Sequence, residues 1–317
     1  MYPIKNIDMK NIIITVVFCL IQLGWISAQD SSEVISVKKT RYTKNTFLSS
    51  YLVNLPTVEM MPKGNMQFMI AHHFGVLWHD GATTGQNIAQ FFGFNSGIAK
   101  TYLSLDYSLT NHINVGGALA GNGQYEGWLK LRLIRQSNKT PLSVSWLSLV
   151  NVNTVTNPAD TIEENKLAWN SYSYMHQLLI ARKFSPKLSL QIMPTLIHYN
   201  IVPYGINNHN NILSLGFGGK YQLSDNSALT FEYARQLTVF EDVLDRSGNI
   251  GNYTPDMFSI GMEVNSGGHI FQFFIGNTTV SSNIEQLSRN TNSFALKNFA
   301  LGFRLNRGFY LGKKDDK

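Results

Sequence analysis

The lengths of the connectors limit what this chain can become more than any single motif does. Read by period-two alternation of apolar and polar residues, the sequence offers twelve strand candidates, at 65–74, 99–107, 113–120, 124–134, 142–150, 172–184, 187–200, 211–223, 228–237, 257–264, 269–278 and 298–305. The connectors after the even-numbered candidates hold 5, 7, 2, 4 and 4 residues, whereas those after the odd-numbered ones hold 24, 3, 21, 10, 19 and 19. One connector departs from the alternation. Transmembrane β-barrels have this asymmetry because the turns at one end are tight hairpins while the loops at the other are free to grow. The pattern predicts an all-β fold: a single up-and-down antiparallel transmembrane β-barrel of about twelve strands.

Alternation of side chains alone fits either a soluble sheet with one wet face or a barrel with lipid outside and water inside. In the fourth candidate Leu129, Leu131 and Leu133 alternate with Lys130 and Arg132. In the eighth, Leu213, Leu215, Phe217 and Tyr221 oppose Ser214, Gly216, Gly218 and Lys220. In the last, Leu301, Phe303 and Leu305 oppose Gly302, Arg304 and Asn306. Three observations favour the membrane. The first is the connector asymmetry. The second is the hairpin succession without a long crossover, which suits closure of one sheet on itself. The third is aromatic residues near strand ends, Tyr107, Tyr125, Trp128, Tyr199, Tyr221, Tyr233 and Phe258, where interfacial girdles form.

The N-terminus carries Lys5 and Lys10, then an uncharged run from Asn11 to Gly24, then Ile26-Ser27-Ala28. A basic start, an apolar centre and a small residue at the break read as a cleaved signal peptide over residues 1–28. The only cysteine, Cys19, lies inside that run, so the mature chain is expected to lack a thiol, a disulfide and any cysteine-ligated metal. Residues 29–63 read as a periplasmic lead-in whose Pro56 and Pro62 disfavour a central strand. Residues 64–310 form the barrel, and 311–317 a charged tail. Charged residues make up 15% of the chain against the usual ~25%, and the net charge of +6 is spread without a basic block, so nucleic acid is not an expected partner.

The segment from Leu55 to Gly75 (LPTVEMMPKGNMQFMIAHHFG) and the stretch from Tyr102 to Gln136 (YLSLDYSLTNHINVGGALAGNGQYEGWLKLRLIRQ) resemble the lead-in motif and the following hairpins of a family of Bacteroidetes outer-membrane β-barrels of unknown function. The similarity spans most of residues 48–310. It implies an outer-membrane location in a Gram-negative bacterium and a barrel fold, and it supplies no reaction or ligand.

The candidate functional residues are the charges that the alternation points inward: Asp106, Glu126, Lys130, Arg132, Lys220, Glu232, Glu263 and Arg304. Four of each sign invite a salt-bridged network across a narrow lumen, or a ladder tuning a water-filled path. Twelve strands lie between filled and open barrels, and the network is the favoured reading. His72, His73, His79 and Asp80 do not make a metal site, because adjacent strand residues point to opposite faces. Neither a metal nor a cofactor is expected. The acid-rich loops, with Asp160, Glu163 and Glu164 and then Glu241, Asp242, Asp245 and Asp256, offer oxygen ligands of the kind Ca²⁺ takes, and the favoured reading is solvated surface in contact with outer-membrane lipid and lipopolysaccharide. The expected role is a non-enzymatic small-solute channel or ligand-binding barrel. The alternatives are a plugged barrel docking partners through its long outer loops and, with His176 and a serine, an outer-membrane hydrolase.

Overall fold

The computed structural model describes residues 40–76, 83–91, 100–121, 123–154, 172–201, 209–244, 250–253, 256–290 and 299–311. The leader, His79, Asp80, most of the loop at 151–171 and the tail after residue 311 lie outside these residues. Twelve of the described strands close into one antiparallel barrel. They are β1 (Asn65–Val76), β2 (Lys100–Ser108), β3 (Ile113–Leu119), β4 (Gln124–Ile134), β5 (Ser143–Asn153), β6 (Tyr172–Lys183), β7 (Leu188–Tyr199), β8 (Asn211–Ser224), β9 (Ser227–Gln236), β12 (Asp256–Ser266), β13 (His269–Gly276) and β14 (Ala300–Tyr310). Each pairs with its sequence neighbour, and β14 pairs with β1 to close the ring, from Asn65 opposite Tyr310 to Val76 opposite Ala300.

The long connectors carry small elements that the alternation does not announce. A hairpin of β10 (Phe240–Leu244) and β11 (Ile250–Tyr253) lies between β9 and β12. Two helices, α1 (Thr84–Phe91) and α2 (Asn283–Ser288), interrupt the first and last loops. At the opposite end the turns are tight. Gly267 and Gly268 both have positive φ, 59° and 84°, the geometry of a two-residue hairpin whose twist matches the flanking strands. The long-loop end and the short-turn end are thus distinct, and both termini of the barrel lie at the latter, where Leu311 N–H donates to the Gly64 carbonyl.

The outward face is apolar. Leu105, Leu129, Leu196, Leu213, Phe217, Leu229, Ile260, Met262, Phe271 and Phe273 are exposed on it, with Tyr107, Tyr125 and Tyr221 toward the rims. Among the described residues no helix is long and apolar enough to span a membrane. Two aromatics expected in the girdles are not there: Trp128 and Tyr199 point inward and are buried, because they share a face with Lys130 and Ile197 respectively. Pro194 sits within β7 on the outward face, and the β6–β7 ladder has a gap between Ile180 and Gln177, where the missing peptide N–H falls.

The lumen is not empty. Residues 40–63 start at the short-turn end, where Arg41 N–H donates to Asn138 Oδ1, rise inside the barrel, reverse, and return to Lys63 beside Asn111. The reversal is a small hairpin, with Leu52 N–H donating to the Leu55 carbonyl and Tyr51 bridging to Pro56. Phe47, Leu52, Leu55 and Val58 are buried against Met69, Leu147, Leu149, Met175, Met193 and Ile212 of the wall. Burying each such side chain contributes about 1.5–3 kcal/mol. From the other end α2 descends into the same core through Ile284 and Leu287.

Candidate functional site

A peptide segment inside a barrel must have its N–H and C=O groups satisfied, and the wall supplies the partners. Glu232, on β9, receives three consecutive backbone N–H groups: Val53 at 3.1 Å, Asn54 at 2.8 Å and Leu55 at 2.9 Å. Gln191, on β7, donates to the Pro56 carbonyl at 2.8 Å and accepts from Val58 N–H at 2.9 Å, as a neighbouring strand would. Gln272, on β13, donates to the Leu52 carbonyl at 2.7 Å and to that of Tyr51 at 3.2 Å. These partners come from one arc of the ring, from β13 through β9 to β7.

The eight charges proposed from the sequence all lie on inward positions, and the structure gives most of them peptide or side-chain partners on the inserted segments. Lys130 Nζ donates to the Glu59 carbonyl at 2.7 Å, and Arg132 Nη2 to that of Met60 at 3.4 Å. Lys220 Nζ donates to the Asn45 carbonyl at 3.4 Å. The Arg304 guanidinium stacks over the Tyr51 ring, 4.2 Å from its centroid, and its Nε and Nη1 have no hydrogen-bond partner among the described residues. Asp106 accepts from Trp128 Nε1 at 2.7 Å, and Glu263 from Gln272 at 3.1 Å. Among the described residues none of the eight forms an ion pair with another; Arg289, at the C-cap of α2, pairs with Glu285 of that helix at 3.0 Å. The expected cross-lumen salt-bridge network is replaced by charges bonded to a threaded backbone. The physical reason is that a filled lumen offers peptide dipoles at closer range than the opposite wall.

Glu126 serves the other insertion. It accepts from Ser282 Oγ and Asn283 N–H, each at 2.8 Å, from Asn283 Nδ2 at 2.6 Å and from the Tyr102 hydroxyl at 3.0 Å. At the far end of α2, the hydroxyls of Ser288 and Tyr199 lie 2.6 Å apart. Between Tyr51, Asp106, Trp128 and Lys130 the remaining space is about 20 Å³, room for one water molecule.

Sequence reasoning missed the residues that join the two insertions. His73 Nε2 lies 2.7 Å from Asn54 Oδ1, and its Nδ1 lies 3.4 Å from Ser281 Oγ. Asn54 Nδ2 donates to Ser259 Oγ, so its Oδ1 is the acceptor and His73 Nε2 carries the proton. Nδ1 then accepts from the Ser281 hydroxyl. His72 points outward, stacked on Phe303, so the two histidines diverge as strand geometry requires. Among the described residues no cluster of three metal-ligating side chains occurs.

His176 faces outward near the middle of β6, with Nδ1 2.9 Å from Ser148 Oγ, which also receives the Trp146 indole N–H at 2.8 Å. The strands carrying this pair are paired on both sides along the wall, with Ser148 opposite His176.

Over residues 47–309 the chain matches the family described as membrane bound β-barrel domain (DUF5777). It belongs to that family. The match spans the barrel and begins inside the lumenal segment, at Phe47, so the insert is part of the family's domain and not an appendage. Among curated proteins none matches the sequence of this family member. Solved structures similar to it include the KdgM porin, at 7% identity and a TM-score of 0.42 over 77% of this chain and 98% of that one. They also include the outer-membrane expressed OmpT of Vibrio cholerae, at 10% identity and a TM-score of 0.36 over 79% and 99%. A third is Salmonella typhi OmpF in complex with daunomycin, at 7% and 0.35 over 77% and 97%.

Proposed function

We propose that this membrane barrel resides in the outer membrane of a Gram-negative bacterium, carries out no catalysis, and is closed at rest by its own N-terminal segment. In this reading it is an anchored docking protein that meets partners through the loops at 75–98, 151–171, 238–256 and 279–297. The short-turn end faces the periplasm and the long-loop end the exterior. The observation that carries it is the threading of residues 45–60 through the lumen with wall side chains satisfying their peptide groups, Glu232 on three consecutive N–H groups above all. In an open channel Lys130, Arg132 and Lys220 would face water and permeant ions. Here they hold peptide carbonyls. Apolar inward residues such as Met175, Leu179, Met193 and Ile197 support the same conclusion, since a water-filled path would leave them wet.

The test is conductance in a planar bilayer. The full-length protein is expected to give no steady current at 100 mV, and a variant lacking residues 46–58 to conduct. Steady, ion-selective current through the intact protein, shifted in selectivity by neutralising Lys130 and Arg132 together, would restore the open-channel reading and overturn this one.

A further inference from the structure

Two peptide insertions enter this lumen from opposite ends and share partners where they meet. The N-terminal hairpin reaches its tip at Asn54, bonded to Ser259 and Glu232 toward the long-loop end of the barrel. The last loop descends through Ser281, Ser282 and Asn283. His73 joins them, one ring nitrogen on each insertion. Asn283 Nδ2 joins them again, 2.9 Å from the Tyr102 hydroxyl, 2.6 Å from Glu126 and 3.5 Å from the hydroxyl of Tyr51 on the hairpin. The apolar contacts form one cluster, in which Phe47, Leu52, Leu55 and Val58 of the hairpin and Ile284 and Leu287 of α2 belong to the same buried core.

Shared partners make the stabilities of two segments interdependent. If the last loop leaves, Glu126 loses three donors, His73 loses the hydroxyl on Nδ1, and water gains access to the upper face of the hairpin. The hairpin itself loses the Asn283 contact of its Tyr51 hydroxyl and the shared core with Ile284 and Leu287. We propose that the barrel couples its two ends: withdrawal of the 279–290 loop by an exterior partner releases the N-terminal segment toward the periplasm, and release of that segment loosens the loop. The proposal rests on the closed-lumen reading above and adds to it a direction of communication. Coupling of this kind is reciprocal.

A thiol reporter tests it. Cys19 is the chain's only cysteine, so in a Cys19→Ser background Ser49→Cys places one thiol on the hairpin at a position 1% exposed. The purified full chain, reconstituted in phosphatidylcholine vesicles, is treated with a membrane-impermeant maleimide. Slow labelling of Ser49→Cys is expected, and labelling about tenfold faster when Ser282→Ala and Asn283→Ala are added. Ser281→Ala, which removes a single hydroxyl from His73, is the milder variant and should accelerate labelling to a smaller extent. Arg289→Ala, which cuts a pair between α2 and its own C-cap, should leave the rate unchanged. In the reverse direction Glu232→Gln should speed labelling of Ser288→Cys on α2. Equal rates with and without the loop substitutions, in barrels that keep their heat-modifiable gel mobility, would overturn the coupling. Rapid labelling of Ser49→Cys in the otherwise intact protein would instead remove the closed-lumen reading.

Discussion

A carboxylate enclosed by a barrel wall needs donors, and Glu232 takes them from three consecutive peptide N–H groups of the hairpin tip. Glu232→Ala leaves those groups without an acceptor, at about 1–3 kcal/mol for each unsatisfied donor that water does not reach. Hydrogen exchange at Val53, Asn54 and Leu55 is expected to accelerate by at least about tenfold, with the strands unaffected; unchanged protection would show that the tip is held by packing alone. Gly218 lies against Leu52 of the hairpin. A Cβ there would stand 2.6 Å from Leu52 Cδ1 and 2.7 Å from the Phe231 carbonyl oxygen. Gly218→Ala should therefore lower the temperature at which the barrel loses its compact gel mobility, and Leu52→Ala in the same chain should recover part of that loss. The remainder belongs to the Phe231 carbonyl, which does not move aside. In the sequence Gly218 reads only as a small inward residue; its purpose, a dent that receives Leu52, depends on a residue far earlier in the chain.

Strands hold this protein in lipid by their outward side chains, and the cost of a misplaced charge depends on depth. Ile260 lies midway along β12 and is exposed on the outer wall, whereas Tyr107 lies near the rim at the end of β2. Ile260→Arg should destabilise the barrel by about 2–4 kcal/mol and Tyr107→Arg by about 0–1 kcal/mol, read from reversible guanidinium unfolding in lipid vesicles. Equal costs at the two sites would contradict the orientation given to these strands. The period-two pattern located the barrel strands to within a few residues because one face must be apolar wherever hydrocarbon touches it. It placed the last one at 298–305 where β14 (Ala300–Tyr310) runs five residues further, since Arg307 and Gly308 break the alternation while their backbone still pairs with Phe68 and Gln67. The strands β5, β6 and β7 carry apolar residues on both faces, as in Leu147 and Leu149 inside with Trp146 and Val150 outside. That double face was the available sign of a filled interior, because a wet lumen has no use for it.

For the whole molecule, the lumenal hairpin and α2 turn an open ring of strands into a barrel with a core. Removing residues 46–58 takes away Phe47, Leu52, Leu55 and Val58 together with the peptide groups that Glu232, Gln191 and Gln272 hold. The truncated chain is expected to admit ions in a planar bilayer and to unfold at lower denaturant than the full chain; a truncated barrel that stays sealed would mean that α2 and the wall close the lumen unaided. The sequence by itself determined the ring: its strand number, its hairpin order and which face meets lipid, since alternation and connector length are local properties that hydrocarbon and backbone hydrogen bonding impose on each segment separately. Only the tertiary structure decided what the ring encloses. Pairing Glu232 with Val53, or His73 with both Asn54 and Ser281, joins residues as far as 208 positions apart, and no local period encodes such contacts.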